Sequence, residues 1–178
     1  LGSSAFLIRE LVLLGDEFRT AFEGALVGEQ DPPRVCLEIN TLGDHSIVFR
    51  DTFISLPVRR SAELLCFLLM EEHVTLKQIW QEVLPDKKYR AAKSYFHHFR
   101  YSIMDAIPGL SISYLPEQRS YRLSHQLDIR WDLEGVFSRE KQWNGKAFLP
   151  SSTSPWVRKI NAKLVSDFCI EAVPELGK

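Results

Sequence analysis

The chain has 178 residues, of which 45% are hydrophobic, and its 22 Lys and Arg against 23 Asp and Glu give a formal net charge of -1. This length and apolar content suffice for one packed domain, alone or with parts of neighbouring domains. The near-neutral charge excludes a protein that coats polyanions with its whole surface, so any contact with nucleic acid has to come from a local basic patch.

The cysteines and the apolar runs indicate a reducing compartment and no membrane span. Cys36, Cys66 and Cys169 are far apart, and each lies in an apolar run, which is typical of small core side chains. No pair has the spacing of metal ligands, and no run approaches the roughly 18 consecutive apolar residues of a transmembrane helix. We therefore predict a cytoplasmic protein with no membrane partner, no cofactor and no metal site.

Residues 1–32 form a separate N-terminal segment in the sequence pattern. Residues 6–27 are apolar nearly all round and predict one or two helices that end at Gly28. The following stretch 29–33 ends in two prolines and predicts a linker. A helix this apolar needs a partner, and a homodimer formed through its apolar face is one hypothesis.

From Val35 onward the apolar period changes to two. Short β-branched and aromatic runs extend to Leu56, and Gly43-Asp44 indicates a turn between them. The apolar positions are Val35, Leu37, Ile39, Ile47, Phe49, Phe53, Ile54 and Leu56. We predict a small antiparallel sheet of three or four strands.

Two helices are predicted between this sheet and residue 84. Apolar residues at three- and four-residue steps predict the first helix after Pro57, ending near Glu72-His73. Thr75 and Gln78 have the spacing of a capping box and predict a second, short helix that ends at Leu84.

The segment 87–103 predicts a third helix with two different faces, ending before Pro108. Five Lys and Arg residues stand against one acidic residue in 85–101. The apolar stripe is Ala92, Tyr95 or Phe96, Phe99, Ile103, and Ala106 or Ile107. Cations recur at the same steps on another side, at Arg90, Lys93, His97 and Arg100. A helix anchored by aromatic residues, with cations pointing outward, is typical of nucleic-acid binding.

A β-hairpin and further helical segments follow the third helix. Strands over 110–114 and 120–124 flank a short tip, which predicts the hairpin. The order of strands, three helices and hairpin predicts an α+β winged helix-turn-helix, whose third helix enters the major groove. Beyond a packed segment that ends at Phe137, Ser154 and Pro155 predict the N-cap and first residue of another amphipathic helix. We therefore divide the chain into 1–32, 33–137 and 138–178, the last being the start of a helical domain.

Several short segments, taken in order, are similar to a known family. They are 56–65 and 74–80 in the first two helices, 120–123 with Asp128 and Phe137 at the hairpin exit, and 145–150 with 154–156. Residues 35–137 resemble the OmpR/PhoB-type winged-helix domain of Streptomyces antibiotic regulatory proteins. Residues 143–176 resemble the opening of the bacterial transcriptional activation domain, which has tetratricopeptide-like helical repeats.

This resemblance implies a bacterial transcription regulator that binds direct repeats of double-stranded DNA and contacts RNA polymerase. Ser102-Ile103-Met104 stand where many members carry a Leu-Arg pair, so the register of the recognition helix stays open. Residues 1–32 lie outside the resemblance.

The candidate DNA contacts lie on the third helix, before it, and on the hairpin. They are Arg59, Arg60, Lys87, Lys88, Arg90, Lys93, Ser94, His97, Arg100, Tyr101 and Arg119. The alternative for each is an ordinary solvated cation or polar turn, and the sequence does not sort base contacts from phosphate contacts.

Catalysis has no support in the sequence, and a second binding function stays open. The chain has neither a Gly-x-Ser-x-Gly elbow nor a Gly-x-x-x-x-Gly-Lys phosphate loop, so we predict that it is not an enzyme. The rival hypothesis is a winged-helix docking module of a larger signalling protein that does not bind DNA. The neutral charge, the missing Leu-Arg pair and the apolar N-terminal segment favour it.

Overall fold

Two β-sheets and the helices between them define an α+β fold. The computed structural model describes residues 35–56 and 60–168. The elements are β1 (Cys36–Asn40), β2 (Ser46–Phe49), β3 (Thr52–Phe53), α1 (Ser61–Met70), α2 (Leu76–Gln78), α3 (Tyr89–Ala106), β4 (Leu110–Leu115), β5 (Ser120–His125), β6 (Asp128–Trp131), α4 (Asp132–Phe137) and α5 (Pro155–Phe168). The predicted segment 1–32, Arg59 and Cys169 lie outside the described residues.

The first sheet has the strand order β3-β2-β1-β6. The strands β1, β2 and β3 pair antiparallel, as predicted, and Gly43 takes a positive φ of 97° in the turn between β1 and β2. The expectation of a wholly antiparallel sheet is wrong, because β6 pairs parallel to β1. Parallel pairing needs a long crossover connection, and here all three helices and the hairpin lie between the two strands.

The carboxylate of Asp132 joins the end of β1 to the start of α4. Its Oδ2 accepts hydrogen bonds from the backbone N–H groups of Thr41 at 2.7 Å and Leu42 at 2.8 Å. Its Oδ1 accepts hydrogen bonds from Thr41 Oγ1 at 2.7 Å and from the Leu133 N–H at 2.8 Å. Trp131 Nε1 then donates to the same threonine hydroxyl at 2.9 Å, so backbone and side chains close one polar network.

The helices α1 and α2 follow the predicted order with one local departure. The helix α1 is buried on nearly all sides and ends at Met70, two to three residues before the predicted end. The capping box at Thr75 is confirmed, because Gln78 N–H donates to Thr75 Oγ1 at 3.2 Å and Thr75 N–H donates to Gln78 Oε1 at 2.8 Å. After α2 the chain widens into a π-helical turn over Ile79–Val83, a form that the helical period did not reveal.

The apolar face of α3 forms the centre of the core. Ala92, Phe96, Phe99 and Ile103 are fully buried, which confirms the predicted stripe. Of the alternatives left open, Phe96 is buried and Tyr95 is half-buried. Ile107 is likewise fully buried beyond the end of the helix. This burial determines which side of α3 faces outward.

The helix α5 packs mainly against the π-helical turn and contacts α1 through one aromatic pair, within the compact unit that begins at Val35. Ser154 is its N-cap, as predicted, since the Val157 N–H donates to Ser154 Oγ at 3.2 Å. The ring of Trp156 lies 5.3 Å from Phe67 of α1 and 5.4 Å from Phe148, in edge-to-face contacts. None of the helices in the described part of the chain is long and apolar enough to cross a membrane.

Glu63 is a buried carboxyl on α1 that faces the loop before α5. Its side chain is 2% exposed, and its Oε2 accepts a hydrogen bond from Ser152 Oγ at 2.6 Å. Burial raises the pKa of Glu63; the hydroxyls of Ser152 and Ser154 and the charge of Arg60 lower this pKa without cancelling the rise.

Replacing Asp132 by Asn should lower the free energy of unfolding by about 3 kcal/mol. The amide –NH₂ has to face N–H donors that the carboxylate oxygens now accept, so the hydrogen bonds on that side are lost. Chemical denaturation measures this effect. The control is Asp128→Asn on neighbouring β6, where an exposed pair with Arg130 predicts a loss below about 1 kcal/mol. Equal losses in the two variants would contradict the role of Asp132.

The raised pKa of Glu63 predicts that its contribution to stability falls as the pH rises. The folded state keeps the Glu63 proton to a higher pH than the unfolded chain, whose glutamates titrate near about 4.3. Between these two pKa values the folded state binds more protons, so the free energy of unfolding decreases with pH and levels off above the folded pKa.

Denaturant unfolding of the wild type and Glu63→Gln from about pH 4 to about pH 8 measures this contribution. The stability difference should shift in favour of Glu63→Gln as the pH rises. The control Glu71→Gln removes a carboxyl at an exposed position just after α1, and its pH dependence serves as the baseline. A pH-dependent shift for Glu63→Gln no larger than this baseline would contradict the prediction.

Candidate nucleic-acid interface

Cationic and polar side chains share the side of α3 that faces away from its buried stripe. Six predicted contact residues lie on this side, and at about 3.6 residues per turn they cover roughly a third of the helix circumference, away from the buried stripe. We call this set the outer face: Arg90, Lys93, Ser94, His97, Arg100 and Tyr101. Asp105, in the last turn, is the single acidic residue of α3.

The members of the outer face differ in exposure. Arg90, Lys93, Ser94 and Tyr101 are exposed, whereas His97 and Arg100 are half-buried. Ser94 Oγ donates to the Arg90 carbonyl at 3.3 Å, a bond that leaves the oxygen lone pairs toward solvent. Lys88, also exposed, is the N-cap residue of α3. The outer face therefore offers free cations mainly in the first half of the helix.

Arg100 is held differently from the other cations. Its Nε is buried and has no hydrogen-bond partner among the described residues. Its guanidinium carbon lies 5.7 Å from the ring centre of Tyr101, within the range of a cation–π contact. Arg100 is therefore partly desolvated on the side that faces the protein.

Tyr121 fixes the hairpin of β4 and β5 against α3. Its ring is 7% exposed and lies 4.7 Å from Phe96 in an edge-to-face contact, with His97 at 6.4 Å. Its backbone N–H donates to the Val74 carbonyl at 2.7 Å, and the Val74 N–H donates back at 2.9 Å. One residue thus connects the hairpin, α3 and the segment just before α2.

The hairpin carries two exposed arginines. Arg119 lies in the tip with a positive φ of 49°, and its N–H donates to the Pro116 carbonyl at 3.3 Å. Arg122 of β5 was not predicted as a contact; it is exposed, and its Nη2 lies 3.9 Å from Glu72. Side chains alternate between the two faces of a strand, so the neighbour of the buried Tyr121 points outward. This alternation is the sequence signal that identifies Arg122.

Two of the predicted cations instead have partners inside the protein. Arg60 Nη1 donates to the Val83 carbonyl at 2.8 Å and to Asp86 Oδ1 at 2.6 Å. Burial raises the pKa of Asp86, but the charge and hydrogen bond of Arg60 outweigh this effect and lower the pKa. The ammonium of Lys87 lies 4.7 Å from the ring centre of Tyr95. Arg60 is therefore paired, whereas the outer face keeps its cations unpaired by carboxylates in the described structure.

Other site chemistry is sparse in the part of the chain that the structure describes. Residues 35–56 and 60–168 contain no group of three or more His, Cys, Asp or Glu side chains arranged to hold a metal ion. Cys66 is fully buried, and this burial raises the pKa of its thiol well above the usual value, which disfavours the reactive thiolate.

Replacing Tyr121 by Ala should lower the free energy of unfolding by about 3 to 4 kcal/mol, because a buried ring and its contact with Phe96 are lost. Thermal and denaturant unfolding measure the effect. Tyr101→Ala is the matched control on the outer face. Its ring is 64% exposed, which predicts a change within about 0.5 kcal/mol. A small effect of Tyr121→Ala would show that the hairpin does not depend on this ring.

The function of the chain has to be inferred from the geometry of the site. No protein-family model matches the chain, and neither a curated protein nor a solved structure is significantly similar to it.

Proposed function

We propose that the chain is a sequence-specific double-stranded DNA-binding domain of a bacterial transcription regulator. In this proposal α2 and α3 form a helix-turn-helix, and the hairpin of β4 and β5 is the wing. The observation that carries it is the outer face of α3, a cationic surface on a helix whose opposite side is fully buried.

The position of α3 suits a recognition helix. An α-helix fits the major groove of B-DNA, and Arg and Lys side chains bind either guanine edges or phosphates. Arg90 and Lys93 are exposed near the start of α3, where side chains of a recognition helix meet base edges. Arg119 and Arg122 on the hairpin add positive charge that would face the phosphates of the DNA beside the groove.

Duplex binding with strong salt dependence is the expected result. Fluorescence anisotropy with a labelled duplex of random sequence measures the affinity at several salt concentrations. The double variant Arg90→Ala/Lys93→Ala should bind at least about tenfold more weakly at low salt, and its log–log salt slope should shrink by about 0.9 for each lost phosphate contact. Both side chains are exposed, so the fold should stay intact.

The control is Arg158→Ala/Lys163→Ala, which removes the same charge from exposed positions on α5. It should bind like the wild type. Selection from a randomised duplex library should enrich one common site, which tests sequence specificity separately. Wild-type binding by Arg90→Ala/Lys93→Ala, or no duplex binding at low salt, would refute the proposed surface.

A protein-docking module is the second candidate function, and exposed tyrosines favour it. Tyr101 and Tyr89, both on α3, are 64% and 47% exposed. Tyrosine is enriched at protein interfaces. A folded protein that binds no duplex at low salt would favour this function.

A further inference from the structure

A cavity of about 570 Å³ lies between the first sheet, the start of α1 and the loop before α5. Ile47 of β2, Leu56 and Leu149 form apolar parts of its wall. Glu63, Ser151 and Ser152 form part of its polar lining. Apolar walls with a few converging polar groups, at a volume of about 300 to 1,000 Å³, are typical of small-molecule sites.

The carboxyl of Glu63 has one oxygen without a partner. Its Oε2 accepts the bond from Ser152, but Oε1 is buried and has no hydrogen-bond partner among the described residues. The Ser154 hydroxyl is near enough to lower the pKa of Glu63 but makes no hydrogen bond to Oε1 in this geometry. A buried carboxyl oxygen that lacks a partner destabilises the protein, so such groups are usually paired. Because Glu63 lines the adjoining cavity, a rotation of its carboxyl would bring this oxygen to a donor bound there.

The neighbouring cation does not supply this donor. Arg60 also lines the cavity, yet its Nη1 donates to the Val83 carbonyl and to Asp86 on the side of the α2–α3 turn. A bound molecule with its own positive donor would compensate Glu63 better than a neutral one, because charge-assisted hydrogen bonds are the stronger kind. The apolar wall requires the rest of that molecule to be hydrocarbon.

We propose that this cavity binds a small organic amine, with the ammonium on Glu63 and the apolar body against Ile47, Leu56 and Leu149. None of the residues that line it belongs to the outer face of α3 or to the hairpin. The site is therefore independent of the proposed DNA-binding function.

A matched series of probes tests the charge preference. Tryptamine, tryptophol and indole-3-propionate share an indole body but end in a cation, a neutral hydroxyl and an anion, and hexylamine is a slimmer amine. Titration calorimetry with the whole chain at about pH 7 should show tryptamine binding about tenfold or more tightly than tryptophol, with indole-3-propionate weakest. Hexylamine should also bind.

Two variants locate the binding. Glu63→Gln keeps an acceptor for Ser152 and should lose the preference for tryptamine over tryptophol while it still binds tryptophol; circular dichroism confirms its fold. Ser151→Trp places a large ring at the exposed edge of the cavity and should abolish binding of every probe. Ser124→Trp, the same change at an exposed position of β5 that does not line the cavity, should bind like the wild type.

Three results would overturn the proposal. The first is a failure of both amines to bind, as expected if the cavity holds only water. The second is equal affinity for the cation and the anion of the indole series. The third is an unchanged tryptamine preference in a folded Glu63→Gln variant.

Discussion

The four hydrogen bonds that the Asp132 carboxylate accepts are the constraint on which the architecture depends. Three of them, from Thr41 and Leu42, hold the end of β1 against the start of α4, and everything from β2 to β6 lies between these two points in the chain. Closing so long a loop has an entropic cost, and a charged acceptor that serves several donors at once offsets part of it. The parallel pairing of β1 with β6 lies directly beside these hydrogen bonds, because β1 ends just before Thr41 and β6 ends just before Asp132.

Within that closed loop, Tyr121 determines how the hairpin and α3 are placed. Its ring packs on Phe96 from the buried side of α3, while its backbone bonds to Val74 just before α2. The outer face is thus a consequence of the packing on the opposite side of the same helix. Arg90 and Lys93 lie on another side of the same helix, so they face solvent when the apolar stripe is buried. The stripe consists of Ala92, Phe96, Phe99 and Ile103.

Two charged residues at the start of α1, Arg60 and Glu63, have different surroundings. Arg60 is bound to Asp86 and the Val83 carbonyl, so it stabilises the turn before α3 and leaves the surface charge to other residues. Only one oxygen of Glu63 has a hydrogen bond from the described residues, and this residue lines the cavity. Arg60 and Asp86 therefore form a structural ion pair, whereas Glu63 keeps one oxygen that a ligand could bind.

Local patterns in the sequence were enough to predict the capping box at Thr75, the N-cap at Ser154, the hairpin and the buried stripe of α3, because each depends on residues a few positions apart. The sequence also identified the cations of the outer face, since helical spacing alone groups them. It did not predict the parallel strand β6, the pairing of Arg60 with Asp86, or the cavity beside Glu63. These features join residues that are distant in the chain, and their energies arise only when the packed core brings those residues together, so tertiary structure alone decided them.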